Sequence, residues 1–201
     1  DAVGQVTISQ LNTLLYGPLK QALTAFGAGD RINLLSTTAA NPLLIKDESI
    51  TNLSAQLTAA FTQAFTPSMG ATMAAQTATL YGAIFGQARQ ATATDLILLP
   101  TQSVIGAAPT ASNSGLGIAP PSPLNKFGIT FPLQDAHVLI PSEIEAIKIA
   151  TDAYNTSIRA IADSKGLAFV DAKAIMAQLS TTGIVSNSFT MTTTYVTGGA
   201  F

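Results

Sequence analysis

The sequence predicts an α/β fold, and three observations carry that prediction. Apolar residues recur at three- and four-residue steps in several segments, the spacing of one helix face. Between these segments lie short apolar runs bounded by Pro or Gly, as in buried strands. In the last third, a helical stripe runs straight into such a run and then into a second helix, the order of a parallel α/β layer. The chain has 201 residues, 47% apolar and 10% charged. That length suggests one domain, with room for a large insertion, at roughly 150 residues per domain.

Residues 9–26 carry Leu11, Leu14, Leu15, Leu19, Leu23 and Phe26, a helical stripe. Gly17-Pro18 interrupts it, which predicts a kink or two short helices, since proline lacks an N–H and fits a first turn. Residues 31–35 and 43–46 read as short strands, the second bounded by Pro42. Ile50, Leu53, Leu57, Phe61 and Ala64 define a helix, with Asp47 and Glu48 at its positive end and Thr66-Pro67 as its stop. Residues 71–90 form another, with Met73, Thr77, Leu80, Tyr81, Ile84, Phe85 and Ala88 on one face; Gly82 and Gly86 within it imply close packing or a loop. Residues 96–99 read as a fully buried strand ended by Pro100, and 106–126 as a long surface loop.

In the C-terminal part, Ser142 with Glu145 has the pattern of a capping box, in which hydroxyl and carboxylate satisfy each other's backbone donors. Ile144, Ile147, Tyr154, Ile158 and Ile161 make the expected buried stripe, closed by Lys165-Gly166. A buried strand at 167–170 follows, then a helix capped by Asp171 and carrying Ile175, Met176 and Leu179. Beyond Gly183, Phe189, Met191 and Tyr195 alternate with Thr190, Thr192 and Thr194, a half-exposed strand.

Composition excludes several kinds of chemistry. With no cysteine there is no disulfide, thiolate nucleophile or Cys-ligated metal. Nine Lys and Arg, scattered along a chain of formal charge −2, do not form the basic patch that phosphate backbones require. No apolar run reaches the ~20 residues of a spanning helix, and residues 1–10 lack a signal peptide pattern. Gly27-Ala28-Gly29-Asp30-Arg31 lacks the Lys and the Ser/Thr of a phosphate-binding loop. No metal set or cofactor loop is implied. His137 is the one imidazole, so every triad must pass through it. Its neighbours read as an extended connector, and a strand would put Asp135 and His137 on one face, whereas a triad needs the carboxylate and the serine on opposite ring nitrogens. A structural or surface histidine is the favoured reading, a catalytic one the alternative. Asp47-Glu48, Glu143 with Glu145, and Asp171 are read as helix-end charges rather than acid–base pairs.

The run Tyr154-Asn155-Thr156-Ser157-Ile158, with Ile161-Ala162 and Lys165-Gly166-Leu167-Ala168-Phe169-Val170-Asp171, resembles the helix–strand unit that precedes the catalytic Asp-x-x-His of SGNH (GDSL-type) ester hydrolases. The run from Thr194 through Gly198 to Phe201 resembles a Bacteroidetes branch of that family, and looser similarity extends over Leu15–Phe26 and Arg89–Pro100 in the sequence. The resemblance implies a partial three-layer, flavodoxin-like SGNH sheet with a large, mainly helical insertion. Residues 1–140 would be the insertion or cap, and 141–201 the helix–strand–helix unit of the core. It also implies hydrolysis of a carboxylic ester or acetyl group on a small molecule, lipid or glycan by a serine, with His as base, Asp orienting it, and Gly and Asn donors at the oxyanion. None of these roles falls on a matching residue of this chain; Gly29-Asp30-Arg31 has no serine, and His137 follows Asp135 too closely. The expectation is therefore an internal piece, inactive alone, whose catalytic blocks lie outside it or on a second chain, in a periplasmic, outer-membrane-anchored or secreted protein. The alternative is a non-catalytic surface or ligand-binding module using the Thr/Ser-rich face and the 106–126 loop to engage glycan or lipid.

Overall fold

Pro18 cannot donate to the carbonyl four residues before it, and the chain accommodates this by widening a turn rather than breaking the helix. In the computed structural model, which describes residues 2–193, α1 (Ala2–Leu11) passes through a π-helical turn (Asn12–Tyr16) into α2 (Gly17–Ala25). The Gly17 N–H bonds the Asn12 carbonyl, five residues back, and a Cβ at Gly17 would stand 2.7 Å from that oxygen. Gly27 closes α2 at φ +72°: its N–H donates to Thr24 O, and Ala28 N–H to Leu23 O, the paired bonds of a Schellman ending. Leu15, Tyr16, Leu19 and Leu23 are the buried face.

The chain forms two compact units, Asp1–Ala146 and Ile147–Phe201. At the centre of the first, β1 (Leu44–Lys46) pairs antiparallel with β2 (Ala88–Gln90), Ile45 opposite Arg89. Leu133 bonds the free edge of β1 in a single parallel bridge. Residues 31–35 are extended, as expected, but are not a strand. One backbone bond, Gln90 N–H to Arg31 O (2.8 Å), joins them to β2; the next pair is made by the Gln90 carboxamide, which accepts from Asn33 N–H and donates to Asn33 O, both at 2.9 Å. A side chain replaces a peptide group in the ladder, and the run ends there.

α3 (Ser54–Met69) starts at Ser54, not near Ile50, because Asp47 is engaged elsewhere and the Asn52 carboxamide oxygen takes the Ser54 N–H and Oγ–H. Pro67 lies inside the last turn, and Gly70 (φ +76°) reverses the chain into α4 (Ala71–Phe85). The buried face of α4 is rotated from the expected one: Ala74, Ala78 and Gly82 are buried with Ile84 and Phe85, while Met73 is exposed. Small residues win this face because α3 approaches closely. A Cβ on Gly82 would stand 2.4 Å from Ser54 O, and one on Gly86 2.7 Å from Ser54 N. Gly82 and Gly86 are thus close-packing residues, one of the two roles their spacing allowed. Phe61, Phe65, Tyr81 and Phe85 stack across the helix pair with centroids 4.9–5.6 Å apart.

Residues 96–99 do not form a buried strand. β3 (Leu96–Ile97) pairs antiparallel with β4 (Val138–Leu139), but Leu96 is exposed and Leu99 is 94% exposed at the start of a 3-10 turn (Leu99–Ser103) that contains Pro100. What is buried is the preceding Asp95. Residues 106–126 contain no helix or strand, as expected of a loop, yet Ser114 and Leu124 within it are buried.

α5 (Pro141–Lys165) is capped one register earlier than the Ser142/Glu145 pattern suggests: the Glu143 carboxylate accepts from Ile140 N–H (2.9 Å), while Pro141 supplies a first turn with no donor to satisfy. Gly166 (φ +62°) closes it in a second Schellman ending, Leu167 N–H to Ala162 O. Residues 167–170 belong to no sheet, and Leu167 and Val170 are exposed while Phe169 is half-buried, so they are not a buried strand. Asp171 accepts from Ala174 N–H as the N-cap of α6 (Ala172–Ser180), as expected. β5 (Ile184–Ser186) and β6 (Phe189–Met191) form a hairpin about Asn187 and Ser188, both at positive φ; Tyr195 lies outside the described residues. Of the expected buried stripe of α5, Ile144 is half-buried and Ile147, Tyr154 (69%), Ile158 and Ile161 (60%) are exposed; among the described residues Ala162 is the one buried apolar side chain of the second unit. Among the described residues every sheet is a two-stranded antiparallel pair, so the fold is helices with small sheets, and the parallel layer through 167–170 is absent there.

A methyl group at Gly86 has no space against the Ser54 backbone. Gly86→Ala is expected to destabilise the protein by about 1–3 kcal/mol in denaturant unfolding, as overpacked cores do; an unchanged midpoint would show that α3 and α4 are not in contact there.

Candidate functional site

Arg89 projects from β2 between two buried carboxylates. Its Nε donates to Asp47 Oδ2 at 2.5 Å, and its Nη1 and Nη2 take both oxygens of Asp95 at 2.7 and 2.6 Å. Asp47 Oδ1 also accepts from Ser49 N–H and Oγ–H, and Asp95 Oδ2 from Thr92 N–H and Oγ1–H. Burial pushes the Asp47 carboxyl up, but the Ser49 and Arg89 hydrogen bonds outweigh it, so it titrates below the usual carboxylate range. The Arg89 bonds hold Asp95 low against its burial, and the two aspartates in return raise Arg89. Every oxygen is occupied, so the cluster clamps the chain after β1, β2 and the chain before β3 rather than offering a reactive group. Asp47 therefore does not cap α3. The signal in the sequence was the scarcity of charge: Arg89 and Asp95 lie six residues apart in a chain with nine cations.

A polar cavity of about 220 Å³ opens beside this clamp. Lys46 (the end of β1), Asn52 and Ser54 (the start of α3), Gln87 (after α4) and Gln134 supply its polar lining, and Ile84, Leu116 and Phe131 the apolar part. Gln87 Nε2 donates to Glu48 O and Ile50 O, which fixes that amide with its oxygen left over; Gln134 Nε2 donates to Pro132 O and its oxygen accepts from His137 N–H. Lys46 is ion-paired to Glu48. Glu48 shares a hydrogen bond with Asp135; burial and the Glu48 charge raise Asp135, whereas for Glu48 the Lys46 pair overcomes burial and keeps it low. Of the two, Asp135 takes the proton first.

A larger cavity, about 550 Å³ and mostly apolar, lies between α1, Tyr16 of the π-helical turn, Leu35 and residues 41–43 and 128–129. Its polar groups are consumed internally: Tyr16 Oη donates to Ile129 O at 2.6 Å, and the Asn41 carboxamide brackets the Ser36 peptide. Burial raises the Tyr16 phenol well above its ordinary value, so it stays a neutral donor.

His137 sits in a 3-10 turn (Asp135–His137), not an extended connector. Its Nδ1 accepts from Gln134 N–H at 3.1 Å and its ring stands edge-on to Phe127, 5.1 Å between centroids, while burial lowers its pKa. These contacts give it a structural role. Glu143 holds a helix start and Asp171 another, where Asp171 is also paired with Arg159, whose guanidinium lies over Phe169. Among the described residues no group of three or more His, Asp or Glu side chains is placed to hold a metal ion, and no helix is long and apolar enough to cross a membrane. No family model, no curated protein and no solved structure matches the chain.

The clamp fixes a pH dependence. Asp47 and Asp95 titrate lower folded than unfolded, so their stabilisation is present above the unfolded carboxylate pKa of about 4 and is lost as pH falls through the folded values. Arg89→Met leaves two buried charges unpaired and is expected to cost about 3–5 kcal/mol at neutral pH. With the cation gone the aspartates titrate above their unfolded values, so the variant should gain stability on acidification from pH 7, opposite to wild type. Urea midpoints across pH check both signs.

Proposed function

We propose that this chain is part of a serine ester hydrolase of the SGNH (GDSL-type) class, with residues 141–201 from its α/β core and 1–140 a cap, and that it contributes none of the reacting groups. The observation that supports this best is the uncovered apolar surface of the second unit. Ile147, Tyr154, Ile158 and Ile161 of α5, Leu167 and Val170 after it, and Ile175 and Met176 of α6 are all exposed. Burying apolar area contributes about 25 cal/mol per Å², and a helix with such a stripe is stable when something covers it. A central sheet formed by other strands of the same enzyme is what the resemblance over 154–171 supplies. Gly166 and Asp171 agree with it, because they end one helix and start the next on either side of 167–170, leaving that stretch outside any helix or strand.

In this reading the nucleophilic serine attacks the ester carbonyl, a histidine takes its proton, an aspartate orients the histidine, and Gly and Asn donors hold the oxyanion. His137 is not that base, since its Nδ1 already accepts a backbone N–H and its ring packs on Phe127. The substrate class is a carboxylic ester or acetyl group on a small molecule, lipid or glycan, and the compartment is periplasmic, outer-membrane-anchored or secreted; both rest on the resemblance.

Reading the coding DNA on both sides of these 201 codons tests the proposal. A Gly-Asp-Ser block upstream and an Asp-x-x-His block downstream are expected, and flanks with neither overturn it. The 201-residue chain itself is expected not to turn over p-nitrophenyl acetate. Turnover that disappears on replacing one of its own serines would show that the reacting groups are here after all.

A further inference from the structure

From the polar cavity of the first unit we infer a binding site for a neutral, single-ring polyol, that is, a monosaccharide or one terminal sugar residue. The inference stands apart from the hydrolase reading and uses none of its residues.

The lining decides the ligand class by what its internal bonds leave over. Asn52 spends its oxygen on Ser54, so its Nδ2 donors remain for a ligand. Gln87 spends its nitrogen on two backbone carbonyls, so its carboxamide oxygen remains as an acceptor, whereas the Gln134 carboxamide donates to Pro132 O and accepts from His137 N–H. Gln134 Oε1 is directed toward Gly115, where a Cβ would come within 3.0 Å of it; Gly115 lines the same cavity and, at φ +70°, holds a conformation that disfavours a side chain. The cavity thus offers donors and acceptors together, each fixed in orientation by a partner. Hydroxyl groups, which are donor and acceptor at once, match such a set.

Charge points the same way. Lys46 is the one cation in the lining and is neutralised by Glu48. An anionic ligand would have to compete with that carboxylate, and a cationic one finds no charged acceptor in the lining. Ile84, Leu116 and Phe131 supply the apolar part of the lining, against which the C–H groups of a sugar ring can rest. Size sets the upper limit: about 220 Å³ falls below the ~300–1,000 Å³ of pockets that take drug-sized ligands, which leaves room for one ring and not for a chain of them.

Saturation-transfer NMR and calorimetry on the whole chain, with glucose, galactose, mannose, xylose and N-acetylglucosamine as probes and glucuronate and glucosamine as charged comparators, test the site. At least one neutral sugar is expected to bind, with a dissociation constant of about 1 mM, and the comparators more weakly. Asn52→Asp keeps the oxygen that caps Ser54 but removes the donor, and is expected to weaken binding about tenfold with the fold intact. Ala83→Trp places an indole into the cavity from an exposed position on α4 and is expected to abolish binding without lowering the thermal midpoint. Absence of binding by all five neutral sugars, tighter binding of a charged comparator, or binding that survives Ala83→Trp overturns the proposal. None of these outcomes bears on ester turnover or on the flanking sequence.

Discussion

Two carboxylates are buried in the first unit because one guanidinium reaches both. Asp47 is 3% exposed and Asp95 8%, and neither would be tolerated there ionised without a partner, since an isolated carboxylate in the interior costs several kcal/mol. Arg89 is suited to the task because its planar fork donates along two directions at once, Nε to one acid and the paired Nη atoms to the other. The clamp joins the residue after β1, the middle of β2 and the residue before β3. Two sheets with strands of three residues in one and two in the other have few ladder bonds of their own. The electrostatic tie therefore does what length does in larger sheets.

The clamp also explains where local signals in the sequence were misleading. Asp47 and Glu48 precede an apolar stripe, the usual sign of a helix start, but Asp47 is drawn to Arg89 and Glu48 to Lys46. Helix α3 begins only at Ser54, whose N–H and Oγ–H the Asn52 carboxamide oxygen accepts. Likewise Asp95 sits before four apolar residues that look like a buried strand. The acid goes inside and the leucines go out, because charge pairing at residue 95 fixes which way the chain faces. Helix-dipole interactions contribute roughly 0.3–1 kcal/mol, whereas breaking a buried pair costs several times that, so the long-range partner wins over the local one.

Signals that depend only on neighbours in sequence were legible: Gly166 as a helix end, Asp171 as a cap, the disruption at Gly17-Pro18, and the irregular loop at 106–126. Signals that depend on what lies opposite were not. Periodicity identifies which face of α5 is apolar, but burial needs a second surface, and Tyr154, Ile158 and Ile161 have none among the described residues. The face of α4 shows the same limit from the other side. Leu80 and Tyr81 dominate its hydrophobicity and Tyr81 does stack on Phe61 and Phe65, yet the fully buried positions include Ala74, Ala78 and Gly82, and at Gly82 the Ser54 backbone comes too close for any side chain. Gln90 is a third case: no pattern of residue types announces that a carboxamide will stand in for a peptide group beside Asn33.

The polar cavity follows from the same economy of charge. The chain has 9 cations and 11 acidic groups in 201 residues, and in the first unit the well-placed ones are committed to Arg89 or to the Lys46–Glu48 pair. What remains to line a cavity is amides and hydroxyls. Such groups are costly to bury unpaired, and here internal bonds hold Asn52 and Gln87 still while leaving the Asn52 nitrogen and the Gln87 oxygen for whatever enters. The second unit has the opposite arrangement: its charged groups pair at the surface, Arg159 with Asp171 and Lys173 with Asp152, while its apolar side chains stand uncovered. The two units therefore call for different partners, a small hydroxylated ligand for the first and a packed apolar layer for the second. A sequence with so little charge leaves hydrogen bonding and area burial as the means of recognition for both.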